Sequence, residues 1–335
     1  MSEEYEKLWL SMEQEAGPGR TGMLRRRLTA THDDGLFLGY DAESARRLFL
    51  VELGLGVPFS PRRIPRWKEI GIERIAEASA PDRIVVKISL ANARFADVFI
   101  AFASDLYRTL APLRQGTDVP HVLAERLEKW HQFFRAHGPE GLGREDQMGL
   151  FGELWFLCHH VIRRMRGAEA VRRWQGPEHA PHDFRFVNGA VEVKMTGGRD
   201  PRMMRVSSAQ QLDDSGVPSL HVYAASLDDR GPGGITLPQM VSEVQALLGE
   251  QQSGVETFRQ KLIDAGYLDI HAREYTDQYE VTEECLFRIR DGFPRITGVA
   301  DGIDDVRYRI ALSACRPFQV DLEQTLSGIM GADSK

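Results

Sequence analysis

The segment from His182 to Thr196, HDFRFVNGAVEVKMT, constrains the fold most because polar and apolar residues alternate on both sides of an Asn-Gly pair. Alternation with a period of two predicts two half-buried β-strands. Asn188 and Gly189 predict a two-residue type I′ turn, since that turn needs positive φ at both central positions. The segment is therefore predicted to form a β-hairpin with one apolar face and one charged face.

The predicted turn also determines which residues face each other across the hairpin. It pairs Asp183 with Lys194, Arg185 with Glu192, Phe184 with Val193, Phe186 with Val191 and Val187 with Ala190. The charged residues then share one face of the hairpin. In one interpretation they form two exposed ion pairs, worth roughly 0–1 kcal/mol each. In the other, Asp183 and Glu192 bind a divalent metal ion beside Lys194, because hard cations take carboxylate oxygens.

Composition limits the class of protein. The chain has 335 residues, a net charge of −7, 42% hydrophobic and 27% charged residues, which is typical of soluble globular proteins. No apolar run approaches the roughly 20 residues that span a bilayer, and the acidic N-terminal segment lacks signal-peptide features. Cys158, Cys285 and Cys315 are scattered without CxxC spacing, which predicts neither a disulfide framework nor a zinc site. We therefore expect a cytoplasmic protein without membrane contact.

Three regions are predicted along the chain. Residues 1–140 combine helical and strand-like patterns and are expected to form an N-terminal α+β domain. Residues 141–235 show the order helix, three strands, helix, strand, which predicts a mixed sheet with helices packed on it. Residues 236–335 add two helices and two strand-like segments, a C-terminal α/β region. The predicted fold class is therefore α/β (α+β).

Asp183 followed by Glu-Val-Lys at 192–194 resembles the PD-(D/E)xK motif of a nuclease superfamily that includes restriction endonucleases and DNA-repair nucleases. His182 stands where that motif has proline, and Pro181 lies one residue earlier. The predicted αβββαβ order is similar to the superfamily core, so the resemblance implies a restriction-endonuclease-like fold. More loosely, most of the chain resembles bacterial PD-(D/E)xK motif proteins linked to restriction-like defence systems.

The resemblance implies roles for individual residues. Asp183 and Glu192 would ligate Mg²⁺, for which Mn²⁺ can substitute, and Lys194 would assist the attacking water molecule. Glu153, in the apolar helix before the hairpin, would be a further catalytic residue and metal ligand, direct or through water. The alternative for Glu153 is an acid stabilised near a helix N-terminus.

Further polar residues are candidates for the same site. Gln210 begins the predicted helix after the third strand and would face the catalytic strand, although Gln211 could equally be the inward residue. Arg199, Arg202 and Arg205 lie near the end of the hairpin and would hold DNA phosphates, a contact that positions the nucleic acid without reading its sequence. A solvated loop is the equal alternative for the arginines.

Together with the resemblance, these features favour a Mg²⁺-dependent DNA endonuclease that hydrolyses phosphodiester bonds in restriction or phage defence. Its expected partners are DNA, a second copy of the chain in a homodimer, and other proteins of a defence system. Residues 1–140 are a candidate for contacting DNA or such a partner. One alternative is a catalytically inactive nuclease-fold scaffold of a defence complex. Another is a nuclease that acts on RNA or on branched or nicked DNA.

Overall fold

A computed structural model describes thirteen parts of the chain: residues 2–17, 19, 21–28, 35–54, 67–76, 82–113, 118–178, 180–197, 202–228, 233–249, 251–297, 302–303 and 305–331. The chain divides into two compact units, Met1–Gly141 and Leu142–Lys335. Apart from Gly141, the predicted regions 141–235 and 236–335 thus fall in one unit. No helix in the described parts is both long and apolar enough to cross a membrane.

The unit Met1–Gly141 is built on an antiparallel sheet with the order β1-β2-β3-β5-β4. Its strands are β1 (Met23–Arg27), β2 (Leu36–Asp41), β3 (Arg46–Gly54), β4 (Ile70–Ala76) and β5 (Arg83–Leu90). Its helices are α1 (Ser2–Ala16), α2 (Ala96–Leu110) and α3 (Val119–Ala136). Trp9 fixes α1 on the sheet by donating its indole N–H to the carbonyl oxygen of Gly39 (2.9 Å).

A buried polar contact joins α2 to α3 in this unit. Asp105 accepts hydrogen bonds from Arg126 and from the indole N–H of Trp130, the latter at 2.8 Å. All three side chains are buried, and the ion pair satisfies the carboxylate that burial would otherwise penalise. The indole of Trp130 therefore helps to orient a buried acid.

The unit Leu142–Lys335 has a mixed central sheet with the order β10-β11-β9-β7-β6, and β13 pairs with β11. Its strands are β6 (Phe184–Phe186), β7 (Gly189–Gly197), β8 (Met203–Val206), β9 (Leu220–Asp228), β10 (Ile235–Thr236), β11 (Gln278–Arg288), β12 (Tyr308–Ala311) and β13 (Gln319–Val320). The strands β7 and β9 are parallel, whereas β7 with β6 and β9 with β11 are antiparallel. The predicted α+β class is confirmed, and the mixed sheet is consistent with a restriction-endonuclease-like fold.

The helices of this unit are α4 (Arg144–Phe156), α5 (Gly167–Arg173), α6 (Leu237–Leu248), α7 (Gln252–Asp264), α8 (Leu312–Cys315) and α9 (Leu322–Met330). The chain after α4 continues as a π-helical segment, Leu157–Val161. A capping box starts α6, because Thr236 and Gln239 satisfy each other's backbone N–H groups.

Two parts of the predicted αβββαβ order differ in the structure. The third strand, β8, pairs with β12 in a separate two-stranded ladder and does not extend the central sheet. The predicted helix after it is a short 3₁₀ turn, Ala209–Leu212. The turn ends where Asp213 accepts a hydrogen bond from the backbone N–H of Ser215 (3.0 Å), which redirects the chain before an α-helix can form.

The hairpin forms, but its register differs by two residues from the predicted one. The observed pairs are Phe184 with Val191, Arg185 with Ala190 and Phe186 with Gly189. The turn lies at Val187 and Asn188, and neither Asn188 nor Gly189 has positive φ, so the predicted type I′ turn is wrong. A shift of two residues keeps every side chain on its predicted face, because side chains alternate with a period of two.

Asn188 and Gly189 do not form the predicted turn but contact other segments of the fold. Ser219 Oγ donates to the carbonyl oxygen of Asn188 (2.9 Å), and Asn188 Nδ2 donates to the carbonyl oxygen of Gly328 in α9 (3.1 Å). A Cβ atom at Gly189 would lie 2.8 Å from the carbonyl oxygen of Ser219. Glycine is therefore required here by the close approach of two backbone segments, which lie far apart in sequence.

Both faces of strand β7 in the hairpin are covered. The predicted apolar face is confirmed, since Phe184, Phe186, Val191 and Val193 belong to the main core of the unit. The opposite face packs against β8, β12 and the 3₁₀ turn, where Met204, Val206, Leu212 and Ile310 share a second core with Ala190, Val222 and Ala224. Glu192 and Lys194 lie on this covered face with only 1% and 9% of their surface exposed. The interpretation as exposed ion pairs is therefore wrong.

Candidate active site

The structure brings together four of the residues predicted for the site. Glu153 lies on α4, Asp183 immediately precedes β6, and Glu192 and Lys194 lie on β7. A single carbon atom, the Cβ that Gly176 lacks, would lie 2.5 Å from Glu153 Oε2 and 3.0 Å from Asp183 Oδ1. The carboxylates therefore line a space that any side chain at position 176 would fill.

Glu192 is a buried acid with one satisfied oxygen. Its Oε1 accepts a hydrogen bond from Lys194 Nζ (2.7 Å), whereas Oε2 is buried with no hydrogen-bond partner of ordinary geometry. Hydrogen bonding between Glu192 and Asp183 lowers the pKa of each acid, but it is the smallest of the causes that act on either pKa. Burial, reinforced by the negative charge of Asp183, raises the pKa of Glu192 to about 8. A buried polar atom without a partner is costly, and such atoms in folded proteins usually have a partner, an ion or a water molecule.

Backbone N–H groups hold both the side-chain carboxylate and the main-chain carbonyl of Asp183. Its Oδ2 accepts from the backbone N–H of Val193 (2.7 Å), and its carbonyl oxygen accepts from the N–H groups of Gln175 (2.7 Å) and Gly176 (3.1 Å). Burial raises the pKa of Asp183, and the charge of Lys194 offsets this only in part. The Asp183–Lys194 pair expected from the predicted register is replaced by a contact to the backbone of β7.

Glu153 is positioned by the packing of α4 on β7. A Cβ at Gly152 would overlap the side chain of Met195, so only glycine allows the helix to approach the strand this closely. Burial raises the pKa of Glu153 well above its ordinary value, and the negative charge of Asp183 is the second-largest cause of this rise. The acids of the first turn of α4 are Glu145 and Asp146, so Glu153 lies too far along the helix for the N-terminal interpretation.

Trp174 orients Glu153 by donating its indole N–H to Glu153 Oε2 (2.6 Å). Trp174 is fully buried, and Lys261 of α7 donates to its carbonyl oxygen and to Glu178 Oε1, the latter at 2.8 Å. The sequence does not indicate Trp174, Lys261 or Gly176 as residues of the site. The local pattern contains no signal for Lys261, because the contact joins elements far apart in sequence.

Lys194 is a buried ammonium group with two identified acceptors. Its Nζ donates to Glu192 Oε1 and to Gln211 Oε1 (2.9 Å), and Gln211 Oε1 also accepts from the backbone N–H of Ser207 (2.9 Å). Burial lowers the pKa of Lys194, but the carboxylates of Glu192 and Asp183 outweigh this effect and the net pKa is raised. Lys194 therefore stays protonated and donates hydrogen bonds.

The inward glutamine is Gln211, the alternative named above, whereas Gln210 is exposed on the 3₁₀ turn. The turn explains this placement, because Gln211 must point back along the chain to accept the N–H of Ser207. The contact to Lys194 therefore belongs to Gln211, and the expectation that Gln210 faces the catalytic strand is corrected.

The predicted phosphate-binding arginines are engaged with acids. Arg202 donates to Ser226 Oγ (2.9 Å) and forms an ion pair with Glu283, and Arg205 forms an ion pair with Glu145. Arg199 lies outside the described residues. A role of these arginines in holding DNA stays a prediction, and phosphate contact by Arg202 or Arg205 would require exchange of these acid partners.

Arg185 does not pair with Glu192, the partner that the predicted register gives it. Its guanidinium donates to the carbonyl oxygen of Gly216 (3.1 Å). The two-residue shift in register separates Arg185 from Glu192 and leaves the carboxylate to Lys194 on the same strand.

The residues present fit a hard divalent cation. The donors are carboxylate oxygens, one of them buried without a partner, and Gly176 leaves the space between two of them clear. The acids Asp183, Glu192 and Glu153 do not form a set with one oxygen of each within 4.8 Å of the others. Mg²⁺ does not need three carboxylates together, because it is usually bound by one or two and keeps several water molecules.

The chain matches a model of a known protein family. The family model described as "Putative PD-(D/E)XK family member, (DUF4420)" matches residues 5–313. The matched range contains Glu153, Trp174, Asp183, Glu192, Lys194 and Gln211. No curated protein and no solved structure matches the chain.

Proposed function

The chain belongs to this PD-(D/E)XK family, which spans nearly all of it, and from that premise we propose that it is a Mg²⁺-dependent endonuclease that hydrolyses phosphodiester bonds in DNA. The observation that carries the proposal is the buried, unpartnered Oε2 of Glu192, next to Asp183 and a protonated Lys194. Metal-dependent hydrolysis is the chemistry typical of the family.

Asp183 and Glu192 would hold the Mg²⁺ ion, and Glu153 would contribute directly or through a water molecule. When bound, the ion supplies a Lewis acid that stabilises the negative charge developing on the phosphate. The indole of Trp174 keeps the Glu153 carboxylate turned toward the site, and the backbone N–H of Val193 does the same for Asp183.

Lys194 contributes a hydrogen-bond donor. An ammonium group has three N–H bonds, and Glu192 and Gln211 use two of them. The third can donate to a phosphate oxygen or orient the attacking water molecule. The water oxygen then forms a bond to phosphorus while the bond to the 3′ oxygen breaks, which leaves 3′-hydroxyl and 5′-phosphate ends.

The proposal is tested by incubating purified protein with plasmid DNA in Mg²⁺, Mn²⁺ or EDTA. We expect cleavage that requires the metal and gives ends that a ligase accepts. Asp183→Asn, Glu192→Gln and Lys194→Ala should each lower the rate at least about 100-fold, the lower end of what a positioned catalytic group contributes. The matched control is Glu280→Gln, which changes an exposed acid on β11 and should cleave at the wild-type rate.

Parallel substrates distinguish the alternative functions. Metal-dependent cleavage of RNA, or of branched or nicked DNA alone, would replace the proposed substrate while keeping the site. Absence of cleavage of every substrate by the wild-type protein, despite bound metal, would favour the scaffold and overturn the proposal.

We propose in addition that the enzyme serves restriction or phage defence in the cytoplasm, with DNA, a second copy of the chain and other defence proteins as partners. The support for this part is the resemblance of the chain to proteins linked to restriction-like systems. Its test is the efficiency of phage plating on cells that express the wild-type protein or Asp183→Asn. Equal plating on both would contradict it.

A further inference from the structure

A second group of metal-binding side chains lies outside the proposed active site. Cys158, His159 and Glu243 each place one potential ligand atom within 4.8 Å of the other two. Cys158 and His159 belong to the π-helical segment Leu157–Val161, and Glu243 lies on α6. The sequence predicts no zinc site here, because the third ligand comes from a helix distant in sequence.

The π-helical segment shapes this group. The backbone N–H of Ile162 donates to the carbonyl oxygen of Leu157 (2.9 Å), an i to i+5 hydrogen bond that widens the helix. Single π turns are rare and occur frequently at functional sites. The next residue, His160, turns away from the group, with its Nε2 2.9 Å from Glu284 Oε1.

The ring of His159 is fixed in a tautomer suited to a metal. Its Nδ1 lies 3.1 Å from the carbonyl oxygen of Trp155, and a carbonyl oxygen only accepts, so Nδ1 carries the hydrogen. The ring also stacks on Trp155, with centroids 3.8 Å apart. The lone pair of Nε2 is then available, which is the arrangement typical of histidines that ligate metals.

Cys158 is not a reactive thiolate in the metal-free protein. Its side chain is buried, and burial together with the charge of Glu243 raises the pKa of the thiol to about 11. Reactive and redox-sensing cysteines have lowered pKa values and are accessible, so the environment of Cys158 does not fit that role. Binding a metal would require the thiol to release its proton.

We propose that Cys158, His159 and Glu243 bind a zinc ion. One sulfur, one imidazole nitrogen and one carboxylate oxygen form a donor set that Zn²⁺ accepts and that Mg²⁺ does not select. Three protein ligands leave a fourth position, and the exposure of Glu243 opens that position to solvent. The ion would join α6 to the segment that follows α4. This inference does not depend on the proposed nuclease function.

The test uses Co²⁺ as a spectroscopic substitute for Zn²⁺ in the full-length, metal-free protein. We expect one equivalent of Co²⁺ to give visible absorption typical of tetrahedral coordination, together with a thiolate-to-cobalt charge-transfer band that Zn²⁺ abolishes. Cys158→Ser should remove the charge-transfer band. The matched control Cys285→Ser changes a cysteine outside the group and should retain it.

Because Cys158 is buried, its replacement changes the core as well as the ligand set. A second variant, at an exposed ligand, separates loss of a ligand from loss of folding. Glu243 is exposed, so Glu243→Gln should leave the melting temperature of the metal-free protein unchanged while lowering cobalt affinity at least about 10-fold, an order-of-magnitude expectation for loss of a contributing group. Glu192→Gln should leave the band intact, because the two sites are separate. A missing band in the wild-type protein, a band that survives Cys158→Ser, or undiminished affinity in Glu243→Gln would each overturn the proposal.

Discussion

At the scale of single residues, the site is governed by how burial changes the charge of each group. Glu192 is almost fully buried beside Asp183, so without a metal ion the folded protein retains a proton that the unfolded chain loses. Lys194 stays charged because two acids surround it. A divalent ion would compete with the proton on Glu192, so metal binding should strengthen as the pH rises.

The first prediction concerns the pH dependence of stability. The pKa of Glu192 is raised from 4.5 to about 8 on folding, so the metal-free protein should lose stability as the pH rises through this range. The slope is at most about 1.4 kcal/mol per pH unit for one proton. Glu153 and Asp183 also have raised pKa values and add to this slope. Glu192→Gln should therefore reduce the slope without abolishing it, and melting temperatures in EDTA at several pH values measure it. The exposed-acid variant Glu280→Gln should keep the slope, and an unchanged slope in Glu192→Gln would contradict the assignment.

The second prediction concerns Trp174, which orients Glu153 through its indole N–H. Trp174→Phe removes the indole donor, and loss of an outer hydrogen bond typically weakens metal affinity 10- to 100-fold. The matched control is Trp130→Phe, which removes a similar bond to Asp105 in the other unit. Calorimetric titration with Mn²⁺ should show weaker binding only for Trp174→Phe. Wild-type affinity in that variant would exclude the positioning role.

At the scale of elements, close packing decides where the site forms. The absence of a side chain at Gly152 lets α4 approach β7, and the absence of one at Gly176 keeps the space between Glu153 and Asp183 clear. Sequence alternation predicted both faces of the hairpin, because the period of two survives a change of register. The register itself was not predictable, because contacts of Asn188 with residues distant in sequence set it.

The third prediction tests the space at Gly176. Gly176→Ala should fold, since the new methyl group would meet the movable end of the Glu153 side chain, but it should displace the carboxylates and abolish metal-dependent cleavage. The control is Gly149→Ala on α4, where the added carbon meets no atom within 4 Å. Replacing a helical glycine by alanine should stabilise that variant by about 1 kcal/mol. Cleavage by Gly176→Ala at the wild-type rate would show that the space is not used.

At the scale of the whole molecule, the site belongs to one compact unit. Glu153, Trp174, Asp183, Glu192 and Lys194 all lie in Leu142–Lys335. The sequence predicted Asp183, Glu192 and Lys194 because they lie in one short segment. It predicted Glu153 because that residue lies in the apolar helix before the hairpin. It did not predict Trp174, Lys261 or Gly176, since their roles depend on tertiary contacts between elements that local patterns do not encode.

The fourth prediction follows from this placement. Mg²⁺ should slow amide hydrogen exchange in β6, in β7 and around Trp174, because a ligand that binds the folded state suppresses local opening. Exchange in Met1–Gly141 should not change. Mass spectrometry of the full chain with and without Mg²⁺ measures both, and Glu192→Gln should lose the effect. Protection confined to Met1–Gly141 would place the metal elsewhere.

The most direct measurement is anomalous scattering from crystals soaked in Mn²⁺, which locates the ion without reference to activity. The buried, unpartnered oxygen of Glu192 predicts an anomalous peak bonded to carboxylate oxygens of Glu192 and Asp183, and none at this position in Glu192→Gln crystals. A fully soaked wild-type crystal with no peak beside these two acids would contradict the metal site on which the proposed nuclease rests.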